Sequence, residues 1–219
     1  MGATLKDLRQ SPEEVKDGIG YALELVQSGG KPATAKPLKG FRGASVLEIV
    51  EDHVGSTWRA VYTVEFASAI YVLHFFSEEV EDGYRDAATP HRSHQAPSAR
   101  GAGICETRTR MTTKITKSSG NVFADLGLKN PEEHALKAEL VRQIAGMLDK
   151  EGLTQTEAAR RLRIAQPDVS RMLRGHFRQF SVERLMRFLV ALGQDVEIVV
   201  RPSPTARSKG ARLTVTTQA

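Results

Sequence analysis

The amino-acid sequence predicts an α+β N-terminal unit, a helix with an antiparallel sheet, followed by a mainly α-helical helix-turn-helix domain with a short C-terminal strand. Residues 1–76 combine one helical period with three strand-like runs, whereas residues 121–201 repeat apolar side chains mostly at helical spacing. Residues 77–120 show no sustained period, and residues 202–219 are polar and irregular. Both of these segments are expected to be disordered, because they offer too little apolar surface to offset the entropy of ordering.

The first helix is predicted to begin at residues 11–14 (SPEE) and to end at residues 29–30 (GG), which are typical start and stop signals. Three strands are predicted at residues 44–50, 58–65 and 69–75, because each run carries β-branched and aromatic residues between turn signals. The apolar positions of the helix are Val15, Ile19, Ala22, Leu23 and Val26.

Composition limits the classes of function. The net charge of +5 over 219 residues suits a polyanionic partner without requiring one. No apolar run is long enough to cross a membrane, and the N-terminus lacks the apolar stretch of a secretory signal. Cys105 is the single cysteine, so neither an intrachain disulfide nor a cysteine-based zinc site can form. We expect no cofactor and no metal, and a reducing, bacterial-type cytoplasm as the location.

The C-terminal domain is predicted to open with a long helix from Pro131 and to contain a later helix from Ser181 through Leu192, ended by Gly193. Residues 195–201 (DVEIVVR) are then predicted to form a short strand. A lone strand in a helical domain needs a partner, so we expect it to pair with its copy in a homodimer or with another chain.

Residues 153–175 (LTQTEAARRLRIAQPDVSRMLRG) predict two short helices joined by a tight turn. Thr154 and Glu157 have the spacing of a capping box, and Pro167 suits the first turn of the second helix. Gly175 is expected to end that helix. The inward residues are Ala158, Ala159, Leu162, Val169, Met172 and Leu173.

The outward face of the second helix carries side chains of the types that hydrogen-bond base edges and phosphates in a major groove. These residues are Gln166, Asp168, Ser170, Arg171 and Arg174. The alternative to DNA binding is an ordinary helical hairpin with a solvated basic face. The agreement of capping, spacing, turn and surface chemistry favours DNA binding.

This stretch resembles the Cro and phage-repressor (XRE) helix-turn-helix family, whose motif reads much like LTQ..AA..L.I.QP.VS..L.G. The resemblance implies that Gln155 touches phosphate or braces the second helix, and that Gln166, Ser170 and Arg171 face bases. The family often has glycine where this chain has Arg163, so we expect an awkward backbone at that residue.

The segment KPLKGFRGASVLEIVEDHVGSTWRAVYTVEFASAIYVLHFF resembles the RelE/HigB-like toxins, the phage-derived branch of ribosome-associated mRNA interferases. The matching features are the preceding helix, LKG before the first strand, and the VLEI, WRAVYTV and VLHFF strands. In that family basic side chains stabilise charge on the scissile phosphate, which implies catalytic roles for Lys39, Arg42 and Arg59, near Glu48 and His74. The alternative is that Arg59 and Glu48 simply pair on a sheet face and that His74 is a structural strand histidine.

The toxin pattern breaks after Phe76, where acidic residues 77–82 replace the basic stretch and terminal helix of the family. Either a reading-frame slip or natural divergence explains this, so residues 77–120 are a disordered or an out-of-frame linker. The sequence from Met111 looks like the start of a free-standing HigA-type antitoxin. The toxin-like domain is therefore expected to be truncated.

Three functions remain open at this point. The first is a sequence-specific repressor of antitoxin type that binds double-stranded operator DNA, fused to a toxin-like domain. The second is mRNA interferase activity of the N-terminal domain, neutralised by the C-terminal antitoxin; loss of the basic C-terminal end argues against enzyme activity. The third is an interaction module, in which the antitoxin half neutralises a toxin domain in cis or in trans; the further partners that stay open are a cognate toxin and the ribosome.

Overall fold

A computed structural model describes residues 4–38, 46–66, 69–79, 116–202 and 215, with the side chains of 64–66 and 79 excepted. Within these ranges an N-terminal unit of two helices and a four-stranded sheet precedes a helical unit, which confirms the predicted fold class. The elements in chain order are α1 (Thr4–Gln10), α2 (Glu13–Gln27), β1 (Ala35–Pro37), β2 (Val46–His53), β3 (Ser56–Phe66), β4 (Ala69–Glu79), α3 (Val122–Asp125), α4 (Pro131–Lys150), α5 (Gln155–Leu162), α6 (Gln166–Leu173) and α7 (Val182–Ala191).

The sheet is antiparallel with the strand order β1-β2-β3-β4, so each strand pairs with its neighbour in sequence. Ile49 pairs with Ala60, and Ala60 pairs with Phe75, which places three buried side chains on one face. The apolar face of α2 packs on this face of the sheet and buries Val15 and Ile19 completely. The predicted amphipathic helix and alternating strands therefore form one two-layer core.

Several boundaries of the N-terminal unit differ from the prediction. The structure adds α1 and β1, which are too short for a periodic pattern, because α1 has seven residues and β1 has three. The third predicted strand, β4, continues to Glu79 and so passes the predicted domain boundary at residue 76. Residues 80–115, most of the predicted linker, lie outside the described residues.

The helical unit has a core of its own, built from α4, α5, α6, α7 and the turn after α6. Asn121 caps the unpredicted α3 by accepting hydrogen bonds from two backbone N–H groups. Ser181 caps α7 as predicted, by accepting from the N–H of Arg184 at 3.2 Å. The predicted long helix from Pro131 is α4, and its buried side chains include Val141 and Ile144.

The predicted strand at residues 195–201 is not formed in the single chain. A strand needs a hydrogen-bonded neighbour, and none of the described strands pairs with this segment. Its apolar side chains are instead exposed to solvent, with Ile198, Val199 and Val200 at least 70% exposed.

Candidate nucleic-acid interface

The first helix of the pair, α5, begins at a complete capping box. Thr154 Oγ1 accepts a hydrogen bond from the backbone N–H of Glu157 at 3.3 Å, and Glu157 Oε2 accepts from the N–H of Thr154 at 2.8 Å. The hydroxyl of Thr154 also donates to the same carboxylate, and these hydrogen bonds lower the pKa of Glu157. The predicted start of α5 is therefore confirmed in detail.

The turn between α5 and α6 passes through Arg163, whose backbone is left-handed with φ 56° and ψ 45°. This conformation favours glycine, so the awkward backbone expected from the sequence is present. The N–H of Ile164 donates to the carbonyl of Ala159 at 3.1 Å and closes the end of α5. Pro167 then occupies the first turn of α6, where a missing N–H costs little.

Small and apolar residues pack between α5 and α6 and determine how closely these two helices cross. Ala158 in α5 and Val169 and Met172 in α6 are fully buried, and Ala159 and Leu162 are nearly so. The small residues on α5 let α6 approach closely, as the sequence predicts. The opposite face of α6 consequently points away from the core.

The outward side chains of α6 are linked by hydrogen bonds that hold them in place. Arg171 donates to Asp168 Oδ1 at 2.7 Å, and the Nε of Arg174 donates to the carbonyl of Ser170 at 3.3 Å. At the start of the helix, Gln166 Nε2 donates to Gln155 Oε1 at 2.7 Å. All seven residues predicted for DNA, Thr154 and Gln155 included, lie on α5, on α6 or at the caps of these two helices, where Arg174 is the C-cap of α6.

Gln179 belongs to the same surface although the sequence did not single it out. Its amide donates to Asp168 Oδ1 at 3.3 Å, so the carboxylate receives Arg171 and Gln179 together. The only sequence signal is that Gln179 is a polar residue soon after the end of α6. That Gln179 lies beside Asp168 can be recognised only when the path of the turn after α6 is known.

Of the three catalytic residues predicted in the toxin-like unit, the structure describes Arg59. Arg59 on β3 donates to Glu48 Oε2 at 3.0 Å and to Glu78 Oε2 at 3.1 Å. The hydrogen bond to Glu78 is the main cause of the raised pKa of Arg59, and Glu48 adds to it. Lys39 and Arg42 lie outside the described residues. His74 stacks on Phe76, with ring centroids 5.1 Å apart.

The two units contact each other along α2. Tyr21 of α2 lies in the core of the helical unit, where its ring meets Phe177 edge-on at 5.7 Å. Burial raises the pKa of Tyr21 to about 12. Gly20, one residue earlier, faces Phe123 and Leu126 at the start of the helical unit.

Charged groups of opposite sign complete this contact. Asp17 of α2 is 1% exposed and receives Arg178, which also binds Glu13. Glu51 of β2 is 5% exposed, and its Oε1 lies 2.6 Å from Nε2 of His176. The carboxylates belong to the N-terminal unit, and the guanidinium of Arg178 and the imidazole of His176 belong to the helical unit, so each buried carboxylate has a partner from the other unit.

Within the described parts of the chain, no group of histidine, cysteine, aspartate or glutamate residues is arranged to hold a metal ion. A search of the same residues finds no helix that is both long and apolar enough to cross a membrane. The surface of α5 and α6 is thus the feature with the most definite chemistry, combining exposed cations with amide and hydroxyl groups.

These features define the class of protein, a helix-turn-helix DNA-binding regulator. Residues 122–201 match a family model described as a helix-turn-helix domain, and residues 6–111 match the family described as phage derived protein Gp49-like. A solved chain provisionally described as an XRE family transcriptional regulator is 42% identical; the match covers 41% of this chain and 100% of that chain, with a TM-score of 0.39. No curated protein matches. The C-terminal part of the chain, residues 122–201, is thus a helix-turn-helix domain of the XRE type, and the Gp49-like match over residues 6–111 precedes it.

Proposed function

We propose that this protein is a sequence-specific transcriptional repressor of antitoxin type, fused to a toxin-like domain of a toxin–antitoxin system. The observation that carries the proposal is the outward face of α6, where the side chain of Arg171 is 53% exposed and its guanidinium binds Asp168. A guanidinium in this position can reach the O6 and N7 acceptors of guanine in a major groove. The XRE and Gp49-like matches support the presence of a DNA-binding domain and a toxin-like domain in one chain.

Each predicted residue receives a role in this proposal. Gln166, Ser170 and Arg171 face base edges, while Arg174 and the capped N-terminus of α5 at Thr154 face phosphates. Gln155 braces α6 through its hydrogen bond to Gln166. Asp168 orients Arg171 and accepts from cytosine N4 amino groups when the site presents them.

A mobility-shift titration with the DNA upstream of the protein's own gene tests this function. The Arg171→Ala variant should bind that DNA about 5- to 150-fold more weakly, because a bidentate base contact contributes roughly 1–3 kcal/mol. Binding to unrelated DNA should change much less. Arg187→Ala is the matched control, since Arg187 is an arginine of α7 that is 77% exposed and binds Glu183 in its own helix. Equal binding by wild type and Arg171→Ala would remove Arg171 from the interface.

We further propose that residues 195–201 pair with the same segment of a second copy and form a two-stranded ribbon. The exposed Ile198, Val199 and Val200 would be covered by this pairing, and the free backbone groups would be satisfied. A dimer also places two recognition helices on the two halves of a palindromic site.

Light scattering after size exclusion tests the dimer. Val199→Glu should give a monomer, because two glutamates would face each other across the ribbon. Val54→Glu is the control, since Val54 is 88% exposed at the turn between β2 and β3. A dimer that survives Val199→Glu contradicts this pairing.

An mRNA interferase activity of the N-terminal unit, neutralised by the helical unit, is the second candidate function. Its support is the Gp49-like match over residues 6–111. Against it, Glu48 and Glu78 neutralise Arg59, which leaves this cluster with a net negative charge that repels a phosphate. Expression of residues 1–110 alone should leave growth and mRNA intact if the repressor is the main activity; growth arrest with mRNA cleavage favours the enzyme.

A further inference from the structure

Tyr21 belongs to the N-terminal unit by sequence and to the helical unit by packing. Its side chain is 5% exposed and clusters with Phe123, Phe177 and Met172 rather than with the sheet. The core of the helix-turn-helix domain is thus completed by a residue of α2. A domain that borrows a core residue loses packing when that residue is removed.

The place where Tyr21 enters is the turn that ends the recognition helix α6. We refer to residues 175–178 as the exit turn. Gly175 has φ +100°, and a Cβ built on it would lie 2.7 Å from Cβ of Tyr21. Only a glycine permits this approach, so the backbone of the exit turn lies directly on α2.

The exit turn is part of the C-terminal cap of α6. The N–H of His176 donates to the carbonyl of Arg171 at 3.0 Å, and the N–H of Gly175 donates to the carbonyl of Met172 at 3.0 Å. This pair of hydrogen bonds is a Schellman motif, which closes the last turn of a helix. The carbonyl of Arg171 therefore accepts a hydrogen bond directly from the exit turn, whose residues touch α2.

Two polar contacts hold the other side of the exit turn. His176 faces the buried carboxylate of Glu51 on β2, and Arg178 binds Asp17 and Glu13 on α2. Leu173 and Arg174, at the end of α6, line a small cleft together with Tyr21. The N-terminal unit thus contacts the end of α6 and nearly every residue of the turn after it.

We propose that the docking of α2 and β2 on the exit turn positions the recognition helix, with Tyr21 as the positioning residue, so that operator affinity depends on the toxin-like unit. This inference rests on the proposed DNA binding. Tyr21 itself touches no DNA; it acts through Gly175 and the cap of α6. Because coupling between two contacts is reciprocal, operator DNA also tightens the docking of α2.

The test compares Tyr21→Ala and Tyr21→Phe in the full chain, at a temperature where circular dichroism shows both variants folded. Tyr21→Ala should weaken specific operator binding by about 5- to 150-fold, the usual range of a coupling between sites. Tyr21→Phe keeps the ring and should bind like the wild type. The dependence of log affinity on log salt should be the same in all three proteins, because no phosphate contact is lost.

Hydrogen exchange separates positioning from a general loss of stability. In Tyr21→Ala the amides of Gly175 and His176 should exchange faster, whereas the amide of Ala158 in α5, which bonds to Thr154, should not. Arg178→Gln, which leaves the core intact, should give the same pattern with a smaller loss of affinity. Addition of operator DNA should slow exchange at these two amides in the wild type.

The outcomes distinguish this inference from the proposed function. If the wild type binds no operator, the DNA-binding proposal itself fails. If the wild type binds, Arg171→Ala binds more weakly, and Tyr21→Ala binds as tightly as the wild type, then the inference about Tyr21 is wrong. Equal acceleration of exchange at Ala158 and His176 would likewise overturn it, since that result describes a destabilised protein and not a displaced helix end.

Discussion

His134 of α4 faces the buried carboxylate of Asp17 in α2, with 3.4 Å between Nε2 and Oδ1. The other ring nitrogen, Nδ1, lies 3.2 Å from the carbonyl oxygen of Asn130. Only the protonated ring can donate from both nitrogens, so this environment favours the imidazolium. The interaction with Asp17 raises the pKa of His134; the carbonyl of Asn130 acts in the same direction, while burial and Arg178 oppose them.

Stability should therefore depend on pH through His134. Because the folded pKa lies above the unfolded value of about 6.5, the contribution is complete below that pH and is lost as the pH rises through the folded pKa. Urea unfolding over a pH series should show the free energy of unfolding falling in this window. His134→Gln should flatten the curve there, whereas His53→Gln, at the last residue of β2, should not change that decrease. A curve that His134→Gln does not alter contradicts the assignment.

Gly175→Ala should destabilise the protein by about 3 kcal/mol, the sum of a strained backbone and an overpacked contact with Tyr21. Gly193 also has positive φ, at +80°, but nothing lies within 4 Å of its added Cβ. Gly193→Ala should therefore cost only about 1 kcal/mol, from the backbone alone. Denaturant unfolding of the two variants measures the difference, and equal losses would show that Tyr21 moves aside freely.

Thr154→Ala should lower the free energy of unfolding by about 1 kcal/mol, because it removes one half of the capping box of α5. Thr156→Ala provides the matched control, since Thr156 is exposed two residues further along the same helix. The exposed substitution should change stability by less than about 0.5 kcal/mol. Thermal or urea unfolding measures both values, and a Thr154→Ala variant as stable as the control would mean that the cap contributes nothing.

Arg163→Gly should stabilise the protein by up to about 1 kcal/mol, because glycine adopts the left-handed backbone of the turn without the penalty that a Cβ imposes. Arg160→Gly, one turn earlier inside α5, should have the opposite sign, since glycine is unfavourable in a helix. The two midpoints of urea unfolding give the comparison. A loss of stability in Arg163→Gly would show that the arginine side chain makes contributions beyond its backbone.

Local features of the helix-turn-helix could be predicted from the sequence because their causes lie within a few residues. The box of Thr154 and Glu157 and the strain at Arg163 each follow from the order of neighbouring residues. The strand predicted at residues 195–201 is absent from the single chain, because propensity favours a strand there but a strand forms only when another chain segment lies beside it.

The contact between the units could not be predicted, because its partners are far apart in the chain. The helical period of α2 places Tyr21 next to its buried face but does not say which unit covers it. Asp17 and Glu51 are residue types that are usually exposed, and their burial depends on Arg178 and His176 arriving from the other unit. No local sequence pattern predicts that these carboxylates will be paired with residues of the other unit.

The contact of Gly175 with Tyr21 has a consequence for the evolution of the chain. A side chain larger than hydrogen at position 175 would place its Cβ 2.7 Å from Cβ of Tyr21, so it lowers stability unless α2 shifts or position 21 changes at the same time. Homologues that retain both units should thus show paired changes at these two positions. Homologues that keep the helix-turn-helix without the N-terminal unit are released from this constraint, and they should tolerate asparagine as well as glycine where the recognition helix ends.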